Sequence, residues 1–184
     1  SVPFSFVQTI LESPVAGDSV QIGFSLTNES SVEQSFLQFS NVLEDTLSGT
    51  QATGLPVTDI CGDGSTLSGT STVTLENGYL EAGATCTFAI TAQIPANSIP
   101  GSYPNITSQL SQNGISLADA VSAVLTVLPL PPSVSAEFSP AIIGSTGTST
   151  LTLTIQNDQS GVEATDLDWS ASLPAGLEIG TPEN

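Results

Sequence analysis

Every charged side chain in this sequence is a carboxylate. Eighteen Asp and Glu stand against no Lys, Arg or His in 184 residues, a formal charge of −18. Hydrolysis by paired carboxylates needs two acids placed across the bond to be broken. The adjacent Glu44-Asp45 offers no such pair, because neighbouring side chains diverge, and spacing marks out no other; no enzyme activity is expected. Calcium, a hard cation that takes oxygen ligands, suits the surplus better. Asp166 and Asp168 lie two apart on one face of an expected strand with Glu163 near, and Asp59 and Asp63 flank Cys61. Neither stretch has the spacing of an EF-hand loop or a Gly-rich nonapeptide. The plainer reading is solvated surface acids, so no cofactor is expected, with calcium at Glu163, Asp166 and Asp168 as the open alternative.

The missing residues exclude more than the present ones suggest. Without Lys or Arg there is no surface that releases counterions from a phosphate backbone, so nucleic acid is not a partner. Attraction to anionic lipid fails for the same reason. Without His there is no Ser-His-Asp or Cys-His machinery and no imidazole for zinc or copper. Without Lys there is no Schiff base and no Lys–Asn isopeptide link. No run approaches 18 consecutive apolar residues, so direct membrane insertion is not expected.

Two cysteines, Cys61 and Cys86, remain. In a cytosolic protein they would read as unpaired core thiols, but a Thr-rich, acidic, strand-rich composition points outside the cell, where pairing is the rule. Trp169, Phe36 and Phe39 offer a sugar-stacking platform, although strand parity favours the core for all three. Asn28-Glu29-Ser30 and Asn105-Ile106-Thr107 match the N-glycosylation acceptor pattern, a pattern short enough for chance to account for it.

The elements that would position these residues are strands. Hydrophobic residues make up 39% of the chain and charged residues 10%, too apolar for a disordered acidic tail. Ser and Thr supply about a quarter of the residues, a composition of strands and turns. Val20, Ile22, Phe24 and Leu26 alternate with polar neighbours, as do Cys86, Phe88, Ile90, Ala92 and Ile94 in a strand predicted over 85–94. Phe36–Phe39 reads as a short strand leading to Asn41-Val42-Leu43. Ser71–Leu75 reads as another, ending at the turn dipeptide Asn77-Gly78. Strands are also predicted over 103–110 and 120–128, and Leu117–Ala120 allows one helical turn at most. Short strands with a turn every 8 to 15 residues predict an all-β fold, an immunoglobulin-like antiparallel β-sandwich.

Leu128-Pro129-Leu130-Pro131-Pro132 is a stiff extended stretch, and the residues beyond it repeat those ahead of it. Ile22–Asn28 returns as Leu151–Asn157 at a spacing of 129. Leu37–Ser40 returns as Leu167–Ser170, and Leu43–Leu47 as Leu173–Leu177, both at 130. A long internal period implies tandem domains. Residues 1–129 are predicted to form one complete repeat with one disulfide, 130–132 a Pro-rich linker, and 133–184 the N-terminal part of a second repeat. Half a sandwich cannot bury its own apolar face, so either the chain continues or strands from another molecule complete it.

The run Phe138-Ser139-Pro140-Ala141-Ile142-Ile143, then Gly147–Asn157 and Leu173-Pro174-Ala175-Gly176-Leu177, resembles an Ig-like "conserved repeat" domain found in tandem in very large bacterial surface proteins. In the first copy, Cys61-Gly62 and Leu80–Thr87 resemble that family's paired-cysteine stretch. Gly101–Asn105 and Leu125–Pro129 resemble its last strands and exit linker. The resemblance implies β-sandwich repeats at the bacterial cell surface or outside the cell, and it carries no catalytic residues. Glu137 stands where such repeats often have a basic residue, and the first copy lacks the Phe-Ser-Pro and Leu-Pro-Ala-Gly-Leu matches. The function expected is a structural module of a multi-repeat extracellular bacterial protein, a stalk, filament or matrix fibre. Its partners would be other repeats or neighbouring subunits, joined by strand complementation of the incomplete second domain. The alternative is an adhesin-type binding repeat for a glycan or protein partner, with calcium assisting.

Overall fold

The computed structural model describes residues 3–159 and 161–180. The chain divides into two compact units, Ser1–Pro129 and Leu130–Asn184. In the first, β1 (Phe4–Ile10), β2 (Ser19–Asn28), β4 (Gln51–Thr53) and β8 (Thr85–Gln93) form an antiparallel sheet in the order β1-β2-β8-β4. A second sheet is built from β3 (Gln34–Val42), β5 (Val57–Thr58), β6 (Thr66–Ser68), β7 (Thr72–Leu80), β10 (Leu110–Gln112) and β11 (Ile115–Ala118), in the order β11-β10-β3-β7-β6-β5. A ribbon of β9 (Gly101–Ile106) and β12 (Ser122–Val127) completes the unit. The architecture is an antiparallel β-sandwich.

Period-two alternation builds the first sheet. Leu26, Phe24, Ile22 and Val20 lie opposite Cys86, Phe88, Ile90 and Ala92, and all eight are buried. Across the two sheets Phe39 meets Phe6 and Phe24 at ring-centroid distances of 4.9 and 5.1 Å, a spacing at which tilted aromatic rings attract. The outward side of the same strands is hydroxyl-rich: Thr27 and Thr85 share a hydrogen bond at 2.8 Å, and the Gln21 Nε2 donates to Thr91 Oγ1 at 2.7 Å. None of these four strands contains a charged residue.

A buried amide cluster ties the layers together. The Asn105 Nδ2 donates to Thr46 Oγ1 at 2.6 Å and Asn41 Oδ1 at 3.1 Å, while its Oδ1 accepts from the Asn41 and Gln8 amides. Such groups are tolerated inside only when hydrogen-bonded. Asn105 and Asn28 are both fully buried, so neither acceptor motif presents its amide to a glycosylating enzyme in the folded state.

Four expectations are corrected. Leu117–Ala120 is not a helical turn, because Leu117 and Ala118 lie in β11, where Ala118 pairs with Leu110; the helical turn is α1 (Leu43–Thr46) instead. The stretch 103–110 is not one strand, since it breaks after Ile106 and passes from the ribbon to the second sheet. Asn77-Gly78 does not end a strand: β7 runs through it to Leu80, with Asn77 at φ 55° absorbing the extra residue of a bulge. Gly78 lies against β3 so closely that a Cβ there would meet the Leu37 Cβ at 3.0 Å. Phe36 and Trp169 are not core residues, at 56% and 61% exposure; Phe39 is.

In the second unit β13 (Ser133–Ser139) pairs antiparallel with β14 (Thr150–Gln156). After β14 the Asn157 Oδ1 accepts the Gln159 N–H at 3.2 Å and its Nδ2 donates to the Val162 carbonyl at 2.6 Å. Leu167–Ser170 forms no strand, unlike Leu37–Ser40 in β3. β3 is held between β10 and β7, and the described residues of the second unit supply neither partner. Val134, Phe138, Ile155 and Trp169 therefore stay exposed.

Candidate functional site

The outward side of the second sheet carries one depression that no regular strand would make. Between the pairs Gln34↔Leu80 and Leu37↔Gly78, Ser35 and Phe36 face Tyr79 alone; between Leu37↔Gly78 and Phe39↔Leu75, Gln38 faces both Glu76 and Asn77. Two opposed bulges thus sit side by side. They hold Phe36 at φ 56° and Asn77 at φ 55°. Asn adopts this region readily, whereas a bulky aromatic there is an outlier that costs about 1–3 kcal/mol. The same twist turns the Phe36 ring out to solvent.

The other wall comes from the disulfide loop. Cys61 and Cys86 are joined, with Cα atoms 5.5 Å apart and both side chains buried. The Asp59 Oδ1 accepts the Gly64 N–H at 2.7 Å, the Ser65 Oγ accepts the Cys61 N–H at 2.9 Å, and the Cys61 carbonyl accepts the Tyr79 N–H at 2.7 Å. Gly62, at φ 93°, lies against β7, where a Cβ would sit 2.7 Å from the Tyr79 carbonyl oxygen. Only glycine lets the loop approach so closely. Together Ser35, Phe36, Asp63, Gly64, Asn77 and Tyr79 line a depression of about 460 Å³.

Its lining is largely polar. The Tyr79 hydroxyl donates to the Glu33 Oε2 at 2.8 Å. That bond, with burial and the negative charges of Glu33 and Glu81, raises the phenol's pKa above its ordinary value. The depression is lined by the aromatic residues Phe36 and Tyr79, by hydroxyl- and amide-bearing side chains and by Asp63. It holds no base, no thiol and no cation.

The sequence-derived candidates fall apart in space. Glu163, Asp166 and Asp168 do not share a strand face: 161–170 is irregular, and Asp166 sits in a bend at φ 56°. Among the described residues no three acids or cysteines gather as a metal group would require. Asp59 is engaged by its own loop. Glu44 and Asp45 lie in the helical turn α1, and Glu44 accepts the Ser48 hydroxyl at 2.6 Å and the Gly49 N–H at 2.9 Å, which lowers its pKa. The sequence marks Phe36 as a stacking residue but not its partners Asn77 and Tyr79, because Asn77-Gly78 reads locally as a turn.

The first unit is thus an antiparallel β-sandwich with one disulfide and a shallow, acid-rimmed aromatic depression. The chain belongs to the family described as a domain of unknown function (DUF7933), whose model matches residues 9–127 and again 132–184. No curated protein matches the sequence. Among solved structures the chain is similar to one in the CaDoc0917–CaCohA2 complex crystallised at pH 5.5, at 15% identity and a TM-score of 0.48, covering 67% of this chain and 100% of that one. It is also similar to BslA, described as a bacterial hydrophobin, at 14% identity and a TM-score of 0.39, covering 70% and 97%. A beta-glucosidase from Listeria innocua in complex with gluconolactone is similar at 14% identity and a TM-score of 0.38; the match spans 67% of this chain and 16% of that enzyme. None of these likenesses bears on what this chain does. No helix among the described residues is long and apolar enough to cross a membrane.

Proposed function

We propose that the chain is a stretch of a tandem-repeat protein that works outside a bacterial cell as a spacing and assembly module. The observation that carries this is one structural device built twice. Asn28 ends β2 and holds the loop that leaves it, accepting the Ser30 N–H and donating to the Val32 carbonyl; Asn157 follows β14 and holds its loop in the same way. Asn28 reaches four residues on and Asn157 five, which accounts for the internal spacing rising from 129 to 130. The family match to both stretches supports the same reading, and the disulfide supports an oxidising location. The order β1-β2-β8-β4 against the β11-β10-β3 part of the second sheet, which β7-β6-β5 extends, supports reading the repeat as immunoglobulin-like. Assembly has two surfaces to draw on: the apolar side of the β13–β14 hairpin, open to added strands, and the outward side of β1-β2-β8-β4, where no carboxylate opposes contact. Labelling intact producing cells with antibodies to the first unit tests the location, and the mass of the native polypeptide tests the repetition. Staining that requires permeabilised cells, or a native chain without further repeats, overturns the proposal.

A second reading, a repeat that also binds a partner, is favoured by Phe36: a strained aromatic held out to solvent serves no packing need of its own unit.

A further inference from the structure

We propose that the depression around Phe36 binds a pyranose ring bearing no negative charge, as one sugar of a surface glycan. The proposal rests on the reading of the chain as a partner-binding repeat and names its site and ligand class. A φ of 56° at a phenylalanine persists only where the surrounding structure enforces it, and glycine would take the position without strain. The ring contributes nothing to the core: the aromatic pairs of this unit all lie among Phe6, Phe24, Phe39 and Phe88. What the conformation achieves is presentation of an aromatic face beside hydrogen-bonding groups. The electron-rich ring face attracts the weakly positive C–H groups of a sugar. Asp63 and Asn77 line the same depression, and a carboxylate and an amide can accept from and donate to sugar hydroxyls. The volume, about 460 Å³, falls in the range of small-molecule sites.

Charge narrows the ligand further. With a formal charge of −18 and no Lys, Arg or His, the chain has no group to pair with a uronate, sialate or phosphate. An uncharged or amino sugar meets no such repulsion. The disulfide holds Asp63 in place: Cys61 anchors the loop to β8 through Cys86 and to β7 through the Tyr79 N–H.

Two measurements on the full chain test this. Phe36→Gly is expected to raise the melting temperature of the first unit by about 3–6 °C, because it relieves strain without opening the core. Titration of the protein with neutral, amino and acidic oligosaccharides, followed by NMR, is expected to show binding of the first two classes only. That binding should weaken at least tenfold in Phe36→Gly and several-fold in Asp63→Asn. A lower melting temperature in Phe36→Gly would show that the ring is held for stability, and the site would fall. Acidic glycans binding as well as neutral ones, or no uncharged glycan binding at all, also overturns it. Binding that survives Phe36→Gly overturns this site while leaving the partner-binding reading standing.

Discussion

Asn28 and Asn157 hold their loops alike: each accepts the N–H two residues on, at 3.1 and 3.2 Å, and donates its amide to a valine carbonyl, at 2.8 and 2.6 Å. The two differ in surroundings. Asn28 is fully buried and also donates to the Leu80 and Glu81 carbonyls, whereas Asn157 is exposed. Asn28→Ala, which strands buried carbonyls, is expected to cost about 3 kcal/mol, and Asn157→Ala under about 1 kcal/mol. Urea denaturation separates the two units, because both tyrosines lie in the first and the single tryptophan, Trp169, in the second. Equal costs at the two positions would contradict this account.

Opening the disulfide should destabilise the first unit. The cysteines are 25 residues apart, and closing a loop of that length is worth about 3.5 kcal/mol on the chain-entropy model. Denaturation with and without reductant measures it. The Phe36 depression should loosen as well, since Asp63 sits on the loop that the bond secures.

The strands that formed as the sequence predicted are those where one face is wholly apolar. β2 and β8 are legible because a one-residue slip would place Phe24 and Phe88 in water. Cys86 points inward for the same reason, and its pairing with Cys61 followed from composition. The candidate site was illegible for an equally physical reason. A pair of bulges obeys no period, and Asn77-Gly78 has the chemistry of a tight turn in any local reading. Trp169 misled because parity with Phe39 assumes the neighbouring strands that β3 has and 167–170 lacks.

Two ionisable groups make stability depend on pH at opposite ends. Glu44 has its pKa lowered by the Ser48 hydroxyl and the Gly49 N–H, so its contribution is present above the usual 4.5 and is lost as pH falls through its folded value. Tyr79 has its pKa raised by its bond to Glu33, so its contribution is complete below 10.0 and is lost as pH rises through its folded value. Melting curves of Glu44→Gln should lose part of the acid-side dependence. Glu33→Gln should bring the alkaline absorbance titration of Tyr79 down toward 10.0; an unchanged midpoint would remove Glu33 as the cause.

Salt should stabilise the protein. With only negative side-chain charges, no internal ion pair between side chains opposes their mutual repulsion, and added cations screen it over about 10 Å at 0.1 M. The melting temperature is expected to rise from 10 mM to 300 mM NaCl and then flatten. Salt-independent melting would count against it.

The Cys61–Cys86 bond also divides the first unit into chain that can lengthen and chain that cannot. Under a pull applied at the two ends of the unit, tension passes from Cys61 to Cys86 through the sulfurs, and the intervening segment stays slack even after every sheet has come apart. Twenty-five residues withheld at about 3.4 Å each shorten the fully drawn-out unit by about 85 Å. That segment carries Asp63, Asn77 and Tyr79, so much of the depression's wall is spared direct load. A fibre of such units would have its maximum reach set by the redox state around it.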